Sequence, residues 1–184
     1  MSKLAWLCCP VLLCAQTPQA GLQPDWDIRA ILQEMSAHAL RLQPVLNQVD
    51  VNAWVSKGAS ETYIAQLQSS KDQARAMADD AKALGRNPEK ISACLQLYFR
   101  VQGLEQMISS LVEAIRKYQD PALAETLTSL SAENGANRNR LETYIVNLAT
   151  QQEQECAVMD REAQRCRGIL SKQPSSTANR GKKN

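Results

Sequence analysis

With 184 residues, a single Phe and an aromatic content of 4%, this chain lacks the residues from which strands are built. Ala, Leu and Gln are abundant, and the seven Gly and seven Pro fall mostly between periodic segments, an all-helical profile. Lys and Arg number 21 against 19 Asp and Glu, and a formal charge of +2 exerts no long-range pull on nucleic acid or an anionic membrane.

The chain opens with one positive charge, Lys3, followed by an apolar run from Leu4 to Ala15. Such a run, about 12 residues, is too short to span a bilayer as a helix, which takes ~20. Residues 1–15 therefore read as a secretory signal, cleaved after Ala15 or, as a second choice, after Ala20. Neither site has a small residue three positions earlier, since Leu13 and Pro18 stand there. A lipoprotein signal with Cys14 as the lipidated residue is the alternative, and the bulk of Leu13 weighs against it. The expectation is an exported protein, periplasmic or extracellular, with no stable membrane span once the signal is gone.

Residues 16–24 form a linker rich in Pro and Gln. Asp25 then suits a helix cap, and Ile28, Leu32, Met35, Ala39, Leu42, Leu46, Val49 and Ala53 step at heptad spacing. Pro44 lies inside this stripe; because the phase survives it, the pattern predicts a kink, with the helix fading between Trp54 and Gly58. Ser60 is the expected cap of a second helix. Its inner face runs through Tyr63 and Ile64, Leu67, Ser70, Ala74, Met77, Ala81 and Leu84, and Gly85 suits the left-handed position just past its end. Asn87-Pro88-Glu89 predicts a fresh start: cap, proline in the first turn, acid at the positive end of the dipole.

The third helix, from Pro88 to about Gln119, carries the most regular stripe in the chain. Leu97, Val101, Leu104, Ile108, Leu111, Ile115 and Tyr118 step 4, 3, 4, 3, 4, 3, and Cys94, Tyr98, Met107 and Val112 widen the seam. Asp120-Pro121 repeats the cap-plus-proline signal and makes the next helix an antiparallel neighbour. That fourth helix runs through Leu123, Leu127, Leu130, Leu141, Tyr144, Ile145, Leu148, Cys156, Met159, Ala163, Cys166 and Leu170. Asn134, Gly135 and Asn137 interrupt it, which predicts a bend near Gly135, with a break as the alternative. The fold expected is an antiparallel up-down-up-down four-helix bundle over residues 25–172. Its last helix, roughly 75 Å long at 1.5 Å per residue, overshoots the others unless it bends near Gly135, and an overshoot from about Cys156 onward would be an exposed helical arm. Residues 173–184 are polar and basic and are expected to be disordered.

Candidate chemistry is sparse. If Cys8, Cys9 and Cys14 leave with the signal, Cys94, Cys156 and Cys166 remain. Cys156 and Cys166, ten residues apart on one helix, are separated by roughly 15 Å, beyond the reach of a disulfide. Cys94 and Cys156, near one end of an antiparallel hairpin, are the better pair; unbridged buried thiols are the alternative. Glu34 and His38, one turn apart, are a thin metal candidate, and an i,i+4 contact between the two is the simpler expectation. One histidine is too few for a di-metal bundle site. There is no Gly-x-Ser-x-Gly, no Cys-x-x-Cys and no Gly-rich phosphate loop. Acids are expected to pair with bases along helix faces, Glu113 with Lys117 and Arg138 with Glu142. No catalytic residue and no cofactor are expected. The function expected is non-catalytic: protein–protein contact or self-association as a scaffold, adaptor or chaperone-like factor, with no nucleic acid. The alternative is a bundle that holds a small apolar ligand or a metal in its interior, shaped by the Tyr63, Tyr98 and Tyr144 hydroxyls.

Overall fold

The most regular stripe of the sequence sits at the centre of the molecule. In a computed structural model, which describes residues 25–172, Leu97, Val101, Leu104, Ile108, Leu111 and Ile115 are all buried, and Tyr118 is partly buried against the same core. Six helices are formed, and among the described residues there is no strand: α1 (Asp25–Leu46), α2 (Val51–Val55), α3 (Thr62–Leu84), α4 (Ile91–Tyr118), α5 (Pro121–Glu133) and α6 (Gly135–Lys172). The expected signal, the Cys14 lipidation site, the linker and the C-terminal tail lie outside the described residues, as does the Asp25 side chain expected to cap α1.

α3 runs antiparallel to both α1 and α4, and polar side chains set the register. Arg29 Nε donates to the Gly85 carbonyl at 3.3 Å, Ser36 Oγ to Ala78 O at 3.0 Å and Gln43 Nε2 to Lys71 O at 2.8 Å. Each step of seven residues up α1 is a step of seven down α3. From α3 to α4, Gln66 Nε2 donates to Met107 O at 3.2 Å, while Arg100 reaches back to Asp80 at 2.7 Å and to Gln73. α4 lies against both α5 and α6, and α1 closes the ring by touching α5 and α6 as well. Ser70, Ala74, Ala78 and Ala81 on α3 are all buried, and their small size lets α1 and α4 approach closely.

Several boundaries differ from the sequence expectation. The first helix takes in Pro44, as expected, but ends two residues later at Leu46 rather than fading between Trp54 and Gly58. Proline cannot donate to the carbonyl one turn back, and the ladder tightens into three-residue turns at Gln48 N→Val45 O and Val49 N→Leu46 O. Asp50 then caps the short α2, its side chain accepting from Ala53 N at 3.1 Å. Val51 and Trp54, not Ala53, become the buried residues there. Gly58, at φ 89°, turns the chain toward α3. α3 starts at Thr62, with Ser60 Oγ accepting from Thr62 N at 3.3 Å just outside it, and Ile64 points to solvent. Gly85 is right-handed at φ −58°, not left-handed, so α3 closes without a left-handed residue. α4 starts at Ile91, three residues beyond Pro88. Pro88 is buried instead of opening the helix, and its carbonyl is held at 3.2 Å by the Cys94 thiol. The last rod is broken at Asn134, one residue before Gly135. Asn134 turns its side chain into the core and remains near-helical at φ −80°, so α5 and α6 meet at a bend.

Candidate functional site

The residues that the sequence singles out for chemistry are kept apart. His38 is 4% exposed and lies in the core rather than at a helix edge, whereas Glu34 is exposed and makes no bond to it. Burial and the nearby Arg41 guanidinium lower the His38 pKa, with Glu133 opposing weakly, and its Nδ1 has no hydrogen-bond partner in the protein. Among the described residues no group of three or more His, Cys, Asp or Glu is placed to hold a metal.

The expected Cys94–Cys156 bridge is not made. Cys94 is buried in α4, its thiol bonded to Pro88 O and its pKa pushed up by burial to about 11, while Cys156 and Cys166 are exposed free thiols on α6. Heptads align the faces of two helices but leave their relative height to the loops. The charged pairs also differ from expectation. Arg138 reaches across to Glu105 of α4 instead of to Glu142 on its own helix, and Glu113 pairs with Arg116 at 2.8 Å rather than with Lys117. Lys117 instead lies over the Tyr118 ring, 4.8 Å from its centroid.

One polar hub had no signal in the sequence. Gln119, just past α4, accepts from Trp54 Nε1 at 3.1 Å and from Asp50 N at 3.0 Å, and donates to Gln48 O at 2.8 Å. Trp54 meets Tyr63 edge-on at 5.7 Å and stacks on Tyr118 at 6.4 Å. The hub ties the α1–α2 turn to the end of α4, so its work is structural. Two surface grooves accompany the core. One of about 420 Å³ lies between α1 and α3 and is lined by Leu32, Leu40 and Ala81; another of about 440 Å³ lies between α4, α5 and α6 and is lined by Ile108, Val112 and Arg138. The second also presents the polar side chains of Glu105, Ser109, Glu113 and Ser131.

The feature that no packing argument absorbs is the second half of α6. Leu141, Tyr144, Ile145 and Leu148 are buried against the bundle, and Gln152 Nε2 donates to Glu89 O at 3.5 Å near the end of that cover. From Gln152 to Ser171 every residue except the half-buried Gly168 is exposed, including Met159 at 62% and Leu170 at 67%. The exposed arm expected from the sequence is therefore present and begins four residues earlier, at Gln152. It is helical for roughly 30 Å. Cys156, Met159, Ala163, Cys166 and Leu170 fall along one side of it, Asp160 and Arg167 flank that side, and Arg161 and Gln164 face away from it. A single helix of this length is marginal in water unless its apolar stripe finds cover.

Comparison with protein-family models, curated proteins and solved structures finds no match to this chain. No helix among the described residues is long and apolar enough to cross a membrane.

Proposed function

We propose that this chain is an exported, non-catalytic helical protein that works by protein–protein contact, as a scaffold, adaptor or chaperone-like factor, through the arm of α6. The arrangement is read as an antiparallel up-down-up-down four-helix bundle in which α1, α3 and α4 are three rods and α5 with α6 makes the bent fourth. Export is carried by residues 1–15 in their role as a signal. The observation that carries the reading is an amphipathic helix held clear of the bundle with its apolar stripe uncovered. Exposed apolar surface beyond scattered single residues marks an interaction site, and the bundle behind it supplies a rigid mount.

The test is photo-cross-linking of the chain in its native setting, with the reactive residue at position 159 on the arm or at position 113 on the exposed side of α4. An adduct of one defined mass from position 159, and none from position 113, is expected. Adducts from neither position, or equally from both, would overturn the reading.

A further inference from the structure

Resting on the reading of the arm as a contact surface, we propose that its partner is a second copy of this chain, paired arm to arm in antiparallel fashion and locked by two disulfides between Cys156 of each copy and Cys166 of the other. The first support is continuity. At 100° per residue, Gln152, Cys156, Met159, Ala163, Cys166 and Leu170 prolong the same face of α6 that Leu141, Ile145 and Leu148 turn to the bundle. The seam that holds α6 in place runs on past the end of its own cover.

The second support is the spacing. From Gln152 to Leu170 the seam steps 4, 3, 4, 3, 4, which reads the same in reverse. An inverted copy centred on Arg161 therefore sets every seam position opposite a seam position: Gln152 to Leu170, Cys156 to Cys166, Met159 to Ala163. Each layer matches an a position with a d position, the pairing that antiparallel helices make, and the bulky Met159 meets the small Ala163. On one edge Asp160 meets its own counterpart, while Arg167 of each copy comes beside Glu153 of the other. On the opposite edge Glu162 meets its own counterpart, and the Arg165 guanidinium, 4.0 Å from Glu162 on the same arm, offsets that repulsion.

The third support is reach. This register brings the partner arm's Lys172 level with Thr150, beside Gln152 and its bond to Glu89 O, where the bundle's cover of α6 stops. The two bundles then sit at opposite ends of the paired arms. A parallel pair is excluded by bulk, because the bundle and the seam share one face of α6 and both bundles would fall in the same space.

The geometry also suits the sulfur chemistry. Helix axes ~8–10 Å apart, with α-carbons at a radius of ~2.3 Å, bring facing α-carbons to about 4–6 Å, within the span a disulfide bridges. Both thiols are exposed and free. Each bond forms when the thiolate of one cysteine attacks a disulfide oxidant such as glutathione disulfide, releasing one glutathione. The facing thiolate then displaces the second, so two electrons and two protons pass from the protein thiols to the oxidant.

A Cys156–Cys166 bond is diagnostic, because within one unbroken helix those residues are roughly 15 Å apart and cannot bridge. The full chain is oxidised with glutathione disulfide, then analysed by non-reducing peptide mapping and analytical ultracentrifugation. Twice the chain mass and a Cys156–Cys166 linked peptide are expected. Cys156→Ser and Cys166→Ser, both at exposed positions, each alone abolish that link. Mixed in equal amounts they restore a covalent dimer with a single bond. Links of Cys156 to Cys156 or of Cys166 to Cys166, or a variant that still cross-links with itself through its remaining arm thiol, would overturn the inverted register. A monomer at every concentration, oxidised or not, would overturn self-pairing while leaving the contact reading to the cross-link from position 159.

Discussion

Replacing Gln119 by Ala strips the hub that joins the α1–α2 turn to the end of α4. Of its three bonds, the one to Trp54 Nε1 matters most. Trp54 is 0% exposed, so loss of its acceptor leaves a donor inside the fold that water does not reach freely. An orphaned buried donor costs ~1–3 kcal/mol, whereas the Asp50 N and Gln48 O bonds are exposed and water replaces them for ~0.5 kcal/mol each. A total of ~3 kcal/mol is expected, a fall of roughly 6–12 °C in Tm for a chain of this size. The assay is urea unfolding followed by far-ultraviolet circular dichroism, run as a double-mutant cycle with Trp54→Phe, which keeps the ring stacking but removes the N–H. Each single change destabilises, and the pair should cost ~1 kcal/mol less than the sum, because the lost bond is counted once. Additivity within ~0.3 kcal/mol would refute the hub. It would mean that the amide of Gln119 is solvated and that Trp54 is held by packing alone.

The single histidine makes a clean pH probe. His38 has its folded-state pKa lowered below the ordinary 6.5 by burial and by Arg41. At higher pH both the folded and unfolded states are neutral there. As the pH falls through 6.5 the unfolded chain takes the proton first, and stability drops by up to ~1.4 kcal/mol per pH unit until the folded state also protonates. Urea midpoints between pH 7.5 and 5 should therefore fall more steeply for the natural chain than for His38→Met; equal slopes, or an imidazole NMR midpoint at or above 6.5, would contradict the burial. Alkylation with iodoacetamide at pH 8 should modify Cys156 and Cys166 quickly. Cys94, pushed up to about 11 and bonded to Pro88 O, should react on the order of 100-fold more slowly, and comparable rates would place it at the surface. Two glycines should respond with opposite sign in thermal melts. Gly58→Ala at φ 89° costs ~1–2 kcal/mol of backbone strain although nothing crowds its new methyl. Gly103→Ala, inside α4 and equally uncrowded, gains ~0.5–1 kcal/mol.

Leu97 to Ile115 shows what a local pattern determines. An apolar residue every three or four positions is buried whatever the helix packs against, so α4 and the inner faces of α1 and α3 were legible without coordinates. The same periodicity announced the arm, because the stripe from Cys156 to Leu170 continues past the length of the other helices. Where helices begin and end was less legible. Asn87-Pro88-Glu89 carries a strong start signal, yet Pro88 is buried ahead of the helix and its carbonyl accepts from the Cys94 thiol. The stripe across Pro44 keeps its phase in the sequence as far as Ala53, yet the helix stops at Leu46 and the short α2 buries Val51 and Trp54 instead.

What only the tertiary structure decided is height and partnership. A seam defines which face meets a neighbour but not how far one rod slides along another. The seven-residue ladder of Arg29, Ser36 and Gln43 on α3, the reach of Arg138 to Glu105 and the hub at Gln119 all depend on that offset. So does the separation of Cys94 from Cys156. These bonds join residues 28 to 71 positions apart, a distance over which sequence spacing carries no geometric information. Composition and periodicity determined that long helices lie side by side; the turns at Gly58, Pro88 and Asn134 decided which side chains meet and left the end of α6 uncovered.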